Sequence, residues 1–260
     1  MLTIQNFTVI HPEAKIGDNV HIDPFTTIHK NVEIGDDTWI GSNVTIMEGA
    51  RIGKNCKIFP GAVISAITQD LKFKGEESYV VIGDNTTIRE YVTINRGTAE
   101  FGITTIGNNC NILAYSHIAH DCSIGNNTVL SNNTTLAGHV IIGENVVISG
   151  LTAINQYSII GDYAFIAGGS QIRKDIPPYI KAGRNPLCYL GINIVGLRRN
   201  GFSENLIKNL QSIYKIIFQN KMNVTQAIDI LENKFEKINE KQKIIEFIKK
   251  SEQGILKGYN

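Results

Sequence analysis

Little in this sequence of 260 residues points to a charged partner, a membrane or a covalent cross-link. Lys and Arg number 25 against 24 Asp and Glu, a formal net charge of +1, so the basic excess that a nucleic-acid protein uses to neutralise phosphates is missing. No uncharged apolar run reaches the roughly 18 residues a membrane span requires, and the start MLTIQNFTVIHPEAK has no basic segment followed by an apolar block. The expectation is a soluble, cytoplasmic protein with no membrane insertion. Four cysteines, Cys56, Cys110, Cys122 and Cys188, form no CxxC pair, which argues against zinc and redox chemistry and for buried free thiols. The chain is long enough to bury a substantial core without staples. The near-zero charge hides an asymmetry: residues 1–179 hold 11 Lys and Arg against 17 Asp and Glu, and residues 180–260 hold 14 against 7. An acidic body and a basic tail section therefore differ in kind.

What is present is a repeat. Isoleucine recurs at every sixth position from Ile4 through Ile10, Ile16, Ile22 and onward to Ile64. It resumes in phase at Ile82, Ile88 and Ile94, and continues from Ile106 to Ile172 with Leu130 and Leu136 standing in twice. Neither a helix nor a two-faced strand has a period of six. A triangular solenoid does: each hexapeptide is one short strand and a turn, and three make a coil of 18 residues. Small or aliphatic residues, including Cys56, Cys110 and Cys122, occupy the position two before the isoleucine. Glycine often follows the isoleucine and Asp or Asn comes next, residue types that tolerate left-handed corners. The predicted fold is mainly β, a left-handed parallel β-helix over residues 1–179, with a C-terminal α-helical domain over 180–260.

Two segments interrupt the repeat without shifting its phase, at 65–81 and 95–105, and loops of that length in a compact domain are usually functional. The repeat is expected to stop near Asp175-Ile176-Pro177-Pro178, where proline removes ladder donors. Beyond it, Ser203 can cap a helix carrying Leu206, Ile207, Leu210, Ile213, Tyr214 and Ile217. Asn223 with Gln226 resembles a capping box, and a third amphipathic segment runs from about Lys243 to Lys250.

All six histidines lie in the solenoid. Residues 18 apart stack in adjacent coils about 4.8 Å apart. His120, Gly138 and Gln156 therefore form one vertical row, and Asp121, His139 and Tyr157 the row beside it. This grouping suits acyl transfer to a hydroxyl: the imidazole of His120 accepts the hydroxyl proton, a carboxylate fixes its tautomer, and a glycine N–H stabilises the oxyanion. No Ser or Cys nucleophile is needed. Isolated surface histidines such as His11, His21 and His29 are read as incidental.

Several runs carry a more specific resemblance: Gln69-Asp70-Leu71-Lys72, Arg96-Gly97-Thr98, His117-Ile118-Ala119-His120-Asp121-Cys122, Ala137-Gly138-His139-Val140, and Gly196-Leu197-Arg198-Arg199 before Gly201-Phe202-Ser203. With these the chain resembles, over essentially its whole length, the bacterial UDP-N-acetylglucosamine O-acyltransferases that open lipid A biosynthesis. The resemblance implies transfer of a 3-hydroxyacyl chain from the phosphopantetheine of acyl carrier protein to the 3-position of UDP-N-acetylglucosamine, with no metal and no cofactor of the enzyme's own. It implies that His120 is the general base, Asp121 its orienting partner and Gly138 the oxyanion donor. Asp70, Lys72, His117 and His139 would hold the glucosamine ring or the acyl hydroxyl; Gln156, Asn193 and Arg199 would contact the nucleotide; Gly168 would let a long acyl chain pass. It also implies a homotrimer with each site between two subunits. The family's usual histidines at positions 95 and 155, and its acidic residue at 195, are Asn95, Asn155 and Val195 here.

The basic section beyond residue 180, including Lys181, Arg184, Lys215 and Lys221, is expected to dock the acidic carrier. Three rival classes are weaker. A coenzyme A-dependent acyltransferase of the same fold would lack this full-length solenoid with helical appendage. A γ-type carbonic anhydrase needs three zinc ligands, and no histidine occurs between His29 and His117. A non-catalytic ice-binding solenoid would favour flat threonine arrays.

Overall fold

The structure is a computed structural model, and it describes residues 3–4, 6–219, 223–234 and 238–258. Lys221, one of the residues expected at the carrier surface, lies outside them. The hexapeptides form strands of two to four residues that stack into three parallel sheets, the faces of a triangular left-handed β-helix. Sheet 1 begins with Thr3–Ile4, sheet 2 with Val9–Ile10 and sheet 3 with Lys15–Ile16. Register follows the sequence period, Thr3 pairing with His21 and Ile4 with Ile22.

Regular corners form because the third residue after the core isoleucine is left-handed: Asn19, Asn55, Asn85, Asn109, Asn127 and Asn145 along one edge all have φ between 52° and 57°. Asparagine reaches that region at lower cost than most side chains. Inside the prism the isoleucines from Ile22 to Ile172 are buried, each contributing about 1.5–3 kcal/mol relative to exposure. Ile4, in the same phase, is 48 % exposed, because it sits in the terminal coil. Cys56, Cys110 and Cys122 are buried free thiols, as expected. Burial pushes the Cys122 thiol up to about 12, so it is not a nucleophile.

Both interruptions leave from the corner after sheet 2. Ile64 pairs with Ile94 and Ile94 with Ile118, so partners are 30 and 24 residues apart where the regular coil has 18. The inserts are thus multiples of six, which is why the phase survives. The excursions are shorter than the sequence breaks: strands Val63–Ala66, Tyr79–Ile82, Thr93–Asn95 and Ile103–Ile106 extend into them, leaving 67–78 and 96–102 to project.

The solenoid also runs one strand further than Pro177-Pro178 implied. Ile176 is buried and bonded to the coil below it, and Ile180–Gly183 joins sheet 1 beside Phe165–Ile166. The prolines fall at the corner of the last coil, where no further coil needs their missing donors. The strand Cys188–Ile192 then folds back antiparallel.

Four helices follow: α1 (Ile194–Arg199), α2 (Glu204–Gln219), α3 (Val224–Lys234) and α4 (Asn239–Lys250). Ser203 Oγ accepts from Leu206 N at 3.3 Å. Asn223 and Gln226 exchange bonds of 3.1 and 2.9 Å in the expected capping box. α4 begins four residues before Lys243, and α1, too short for a periodic signal, has no counterpart in the sequence reading.

Candidate active site

The corner after sheet 2 stacks Asp121, His139 and Tyr157, all left-handed with φ of 58°, 61° and 60°. One residue earlier in each coil come His120, Gly138 and Gln156. Although outside the isoleucine phase, His120, Asp121 and His139 are each under 7 % exposed. The loops 67–78 and 96–102 leave from this same corner and cover it.

His120 Nδ1 lies 2.8 Å from Asp121 Oδ2. Asp121 in turn accepts from Thr98 N at 3.0 and 3.1 Å and from Thr98 Oγ1 at 2.6 Å, while its own N–H donates to Thr104 Oγ1 at 2.8 Å. With donors on every side the carboxylate acts as acceptor, so Nδ1 of His120 is the protonated nitrogen and Nε2 offers its lone pair to the cleft. Asp70 Oδ2 stands 3.8 Å from that Nε2. The ring fits only because Gly138 has no side chain: a Cβ there would fall 2.5 Å from His120 Cε1 and 2.6 Å from Nε2. Gly138 N donates to no carbonyl or side chain among the described residues, leaving it open for a ligand. Gly97 is needed for the second loop to pass, since a Cβ there would meet Ile103 N at 2.2 Å and Asp121 Oδ1 at 2.8 Å.

The cleft encloses about 530 Å³ and is lined by Gln69, Asp70, Leu71, Lys72, Asn95, Ala119, His120, Gly138 and Gln156. Asp70 is held in a turn, accepting from Lys72 N at 2.8 Å and donating its own N–H to Thr68 Oγ1 at 3.1 Å. His139 is walled by aromatic rings: it stacks on Tyr157 at 4.5 Å and meets Phe101 and His120 edge-on at 5.4 and 5.0 Å. Its Nε2 is 3.6 Å from Glu100 and 3.9 Å from Asp121, and its buried Nδ1 has no partner among the described residues. His117, on the adjoining strand, bonds Thr93 Oγ1 through Nδ1 at 2.8 Å; burial lowers its pKa.

Ligating atoms of His120, Asp121 and His139 lie within 4.8 Å of one another. Asp121 is already engaged by Thr98 and His120, and His139 lacks the outer partner that orients a metal-bound imidazole. Within the trio only His120 and Asp121 are hydrogen-bonded, and His139 packs edge-on against the His120 ring.

Asn193, Arg199 and Gly168 are not brought to this corner. Asn193 caps α1, accepting from Gly196 N at 3.2 Å, and donates to Tyr163 O at 2.9 Å on the corner after sheet 3. Arg199 is exposed on α1, whereas Arg198 is paired with Glu204 at 2.6 and 3.0 Å. Gly168 stands at the corner after sheet 1, beside Gly150. A separate basic cleft of about 780 Å³ lies above the site, between the last coil and the C-terminal segment, with Arg173, Lys174, Arg184 and Lys257 on its walls. The sequence reading missed the roles of Thr98, Phe101 and Glu100. Their one visible signal was that both inserts follow isoleucines of the same sheet.

A hexapeptide solenoid presenting a fixed histidine over a bare glycine defines the class as a β-helical acyltransferase. Comparison with known proteins narrows it. Residues 175–256 match the family model for UDP-N-acetylglucosamine O-acyltransferase, domain 2, and residues 31–66 and 103–138 match the bacterial transferase hexapeptide model. The chain is 58 % identical to an acyl-[acyl-carrier-protein]–UDP-N-acetylglucosamine O-acyltransferase of Sulfurihydrogenibium sp., over 98 % of this chain and 94 % of that one. It is 52 % identical to the protein of the same description from Chlorobaculum parvum, over the whole of both. A UDP-N-acetylglucosamine acyltransferase from Bacteroides fragilis superposes with a TM-score of 0.96 at 50 % identity, covering 98 % of this chain and all of that one. The chain belongs to the acyl-[acyl-carrier-protein]–UDP-N-acetylglucosamine O-acyltransferase family.

Proposed function

We propose that His120 is the general base in a direct transfer of a 3-hydroxyacyl chain to the 3-position of UDP-N-acetylglucosamine. As a member of its family the chain is an acyltransferase that moves an acyl group from acyl carrier protein to UDP-N-acetylglucosamine in lipid A biosynthesis. The observation that carries the mechanistic reading is the pairing of His120 Nδ1 with Asp121 at 2.8 Å, which leaves Nε2 facing the cleft over Gly138. Nε2 takes the proton of the acceptor hydroxyl as its oxygen attacks the thioester carbonyl. The carbonyl oxygen, now negative, accepts from the Gly138 N–H. As the intermediate collapses the carrier thiolate leaves and recovers the proton from His120. Asp121 fixes the tautomer of the neutral ring and stabilises the imidazolium that forms when Nε2 takes the proton, and Thr98 keeps Asp121 in place.

Asp70 and Lys72 line the cleft beside the base, His139 packs on its ring and His117 lies on the strand before it; in this reading all four are assigned to the sugar or the acyl hydroxyl, and Gln156, Asn193 and Arg199 to the nucleotide. Asn193, Gly168 and His120 occupy three different corners of one prism, so they serve one site only if neighbouring subunits share it. That geometry supports a homotrimer. So does the exposed apolar stripe of Phe7, Phe25, Tyr91, Tyr115 and Leu151 along the corner after sheet 1, the kind of surface that marks an interface. In this reading the solenoid of residues 1–179 carries the base, and the section 180–260 carries nucleotide contacts and the carrier's docking surface. No helix among the described residues is long and apolar enough to cross a membrane; a cytoplasmic site of action belongs to the proposal.

The test is His120→Ala, assayed with UDP-N-acetylglucosamine and 3-hydroxyacyl carrier protein. Turnover should fall at least about 10²-fold while assembly state and thermal unfolding stay those of the parent. A near-parental rate would remove His120 from the mechanism.

A further inference from the structure

At the corners of the solenoid, the carbonyl two residues after the core isoleucine accepts the N–H of a residue one coil and one position further on. His120 O receives His139 N at 3.1 Å, Gly138 O receives Tyr157 N at 3.2 Å, and Asn132 and Glu144 receive Leu151 and Tyr163 in the same way. Gln156 is next in the active-site row, and its partner by this rule is Asp175. The rung is not made. Asp175 N instead donates to Gly254 O at 3.0 Å, and Gln156 O accepts from the side-chain amide of Gln253 at 2.8 Å.

The C-terminal segment thus stands in for the missing rung on the edge that carries the base, and it is fastened there from several directions. Ser251 Oγ donates to Asp175 Oδ2 at 2.5 Å, and Asp175 is fully buried. Leu256 N donates to Asp175 O at 3.0 Å, and Tyr189 N to Lys257 O at 3.0 Å. Lys174, which stacks above Gln156 in the row, donates to Gln253 O.

We infer that Gln253 is a positioning residue for the acceptor, acting through Gln156. Among the described residues, the Gln156–Tyr157 peptide is held from below by Tyr157 N on Gly138 O and from above only by Gln253. That one peptide sets the direction of the Gln156 side chain into the cleft and of the Tyr157 ring against His139. Freed on one side, it can rotate, and the cleft loses its preformed wall before the acceptor arrives. The loss should appear in acceptor binding and leave the chemical step alone, since the His120–Asp121 pair and the Gly138 N–H make no bond to this peptide. The inference rests on the assignment of Gln156 to the nucleotide sugar.

Steady-state kinetics of the full-length enzyme with both substrates varied provide the test. Gln253→Ala should raise KM for UDP-N-acetylglucosamine about three- to tenfold, the worth of one hydrogen bond, with kcat and the donor KM within about twofold of the parent. Gln253→Arg, which keeps a donor of sufficient reach, should restore the acceptor KM, whereas Gln253→Glu, which sets a carboxylate against a carbonyl, should raise it beyond the alanine variant. A purely structural tail would lower the unfolding temperature and kcat together and would not distinguish Arg from Glu; that pattern, or an unchanged acceptor KM, overturns the inference. Gln156→Ala separates the two levels. If it raises the acceptor KM and Gln253→Ala does not, only the positioning role fails; if Gln156→Ala itself leaves KM unchanged, the assignment of Gln156 falls and the role of Gln253 with it.

Discussion

Replacing Gly138 with alanine perturbs the base through a single added methyl group. The backbone at Gly138 is not left-handed, unlike that of His139 beside it, so alanine meets no conformational barrier there and the whole effect comes from the Cβ. That atom would sit 2.5 Å from His120 Cε1, 2.6 Å from Nε2 and 3.1 Å from Nδ1. Ordinary contact begins at 3.4 Å, so the ring must retreat by roughly 0.9 Å, and overpacking of this size costs about 1–3 kcal/mol. His139 and Asp70 occupy the space around the ring, so the retreat also strains the 2.8 Å bond to Asp121. Misplacing a reacting group by about 1 Å can cost about 10²-fold in rate. We expect kcat of Gly138→Ala to fall by about that factor, with the acceptor KM little changed and the unfolding temperature lowered by a few degrees. Saturating both substrates isolates kcat, and a thermal melt confirms the fold. A folded Gly138→Ala enzyme turning over at the parental rate would show that His120 does not need the position in which it packs.

Gly168→Met should shift preference to a shorter acyl donor while leaving turnover on that donor intact, because each methylene kept out of the groove forfeits about 0.8 kcal/mol; an unchanged chain-length profile would place the limit elsewhere. Reversing the exposed charges Lys181 and Arg184 to glutamate should raise the donor KM at low ionic strength, with the difference fading as salt screens it, and no change at low salt would remove this surface from carrier docking. His117 predicts an acid limb of stability. Its folded pKa lies below its unfolded value of about 6.5, so the unfolded chain binds the proton first and stability declines as pH falls below that value; denaturant titrations from pH 7 to pH 5 should show a slope that His117→Gln reduces, and an unreduced slope would assign it to other groups.

The solenoid was legible because its constraint is local and repeated. An isoleucine every six residues, with a small residue two before it and Asp or Asn near the corner, dictates strand, corner and register in each coil. Stacking by 18 then places His120 under Gly138 and Asp121 under His139 with no further information, since both inserts precede them and are multiples of six. The capping residues Ser203, Asn223 and Gln226 were equally readable, a cap being settled within one turn of helix. Tertiary structure decided whatever depended on where an irregular chain returns. That Thr98 closes on Asp121, that Asp70 approaches His120 Nε2, and that Phe101 walls His139 follow from the paths of two loops with no period. Burial of His120, Asp121 and His139 came from those loops lying over a corner that the repeat alone leaves exposed. The C-terminal segment is the extreme case: Gln253 is 97 positions from Gln156 in the chain, and only the folded end of the solenoid, with one ladder rung missing, gives its amide a carbonyl to bind.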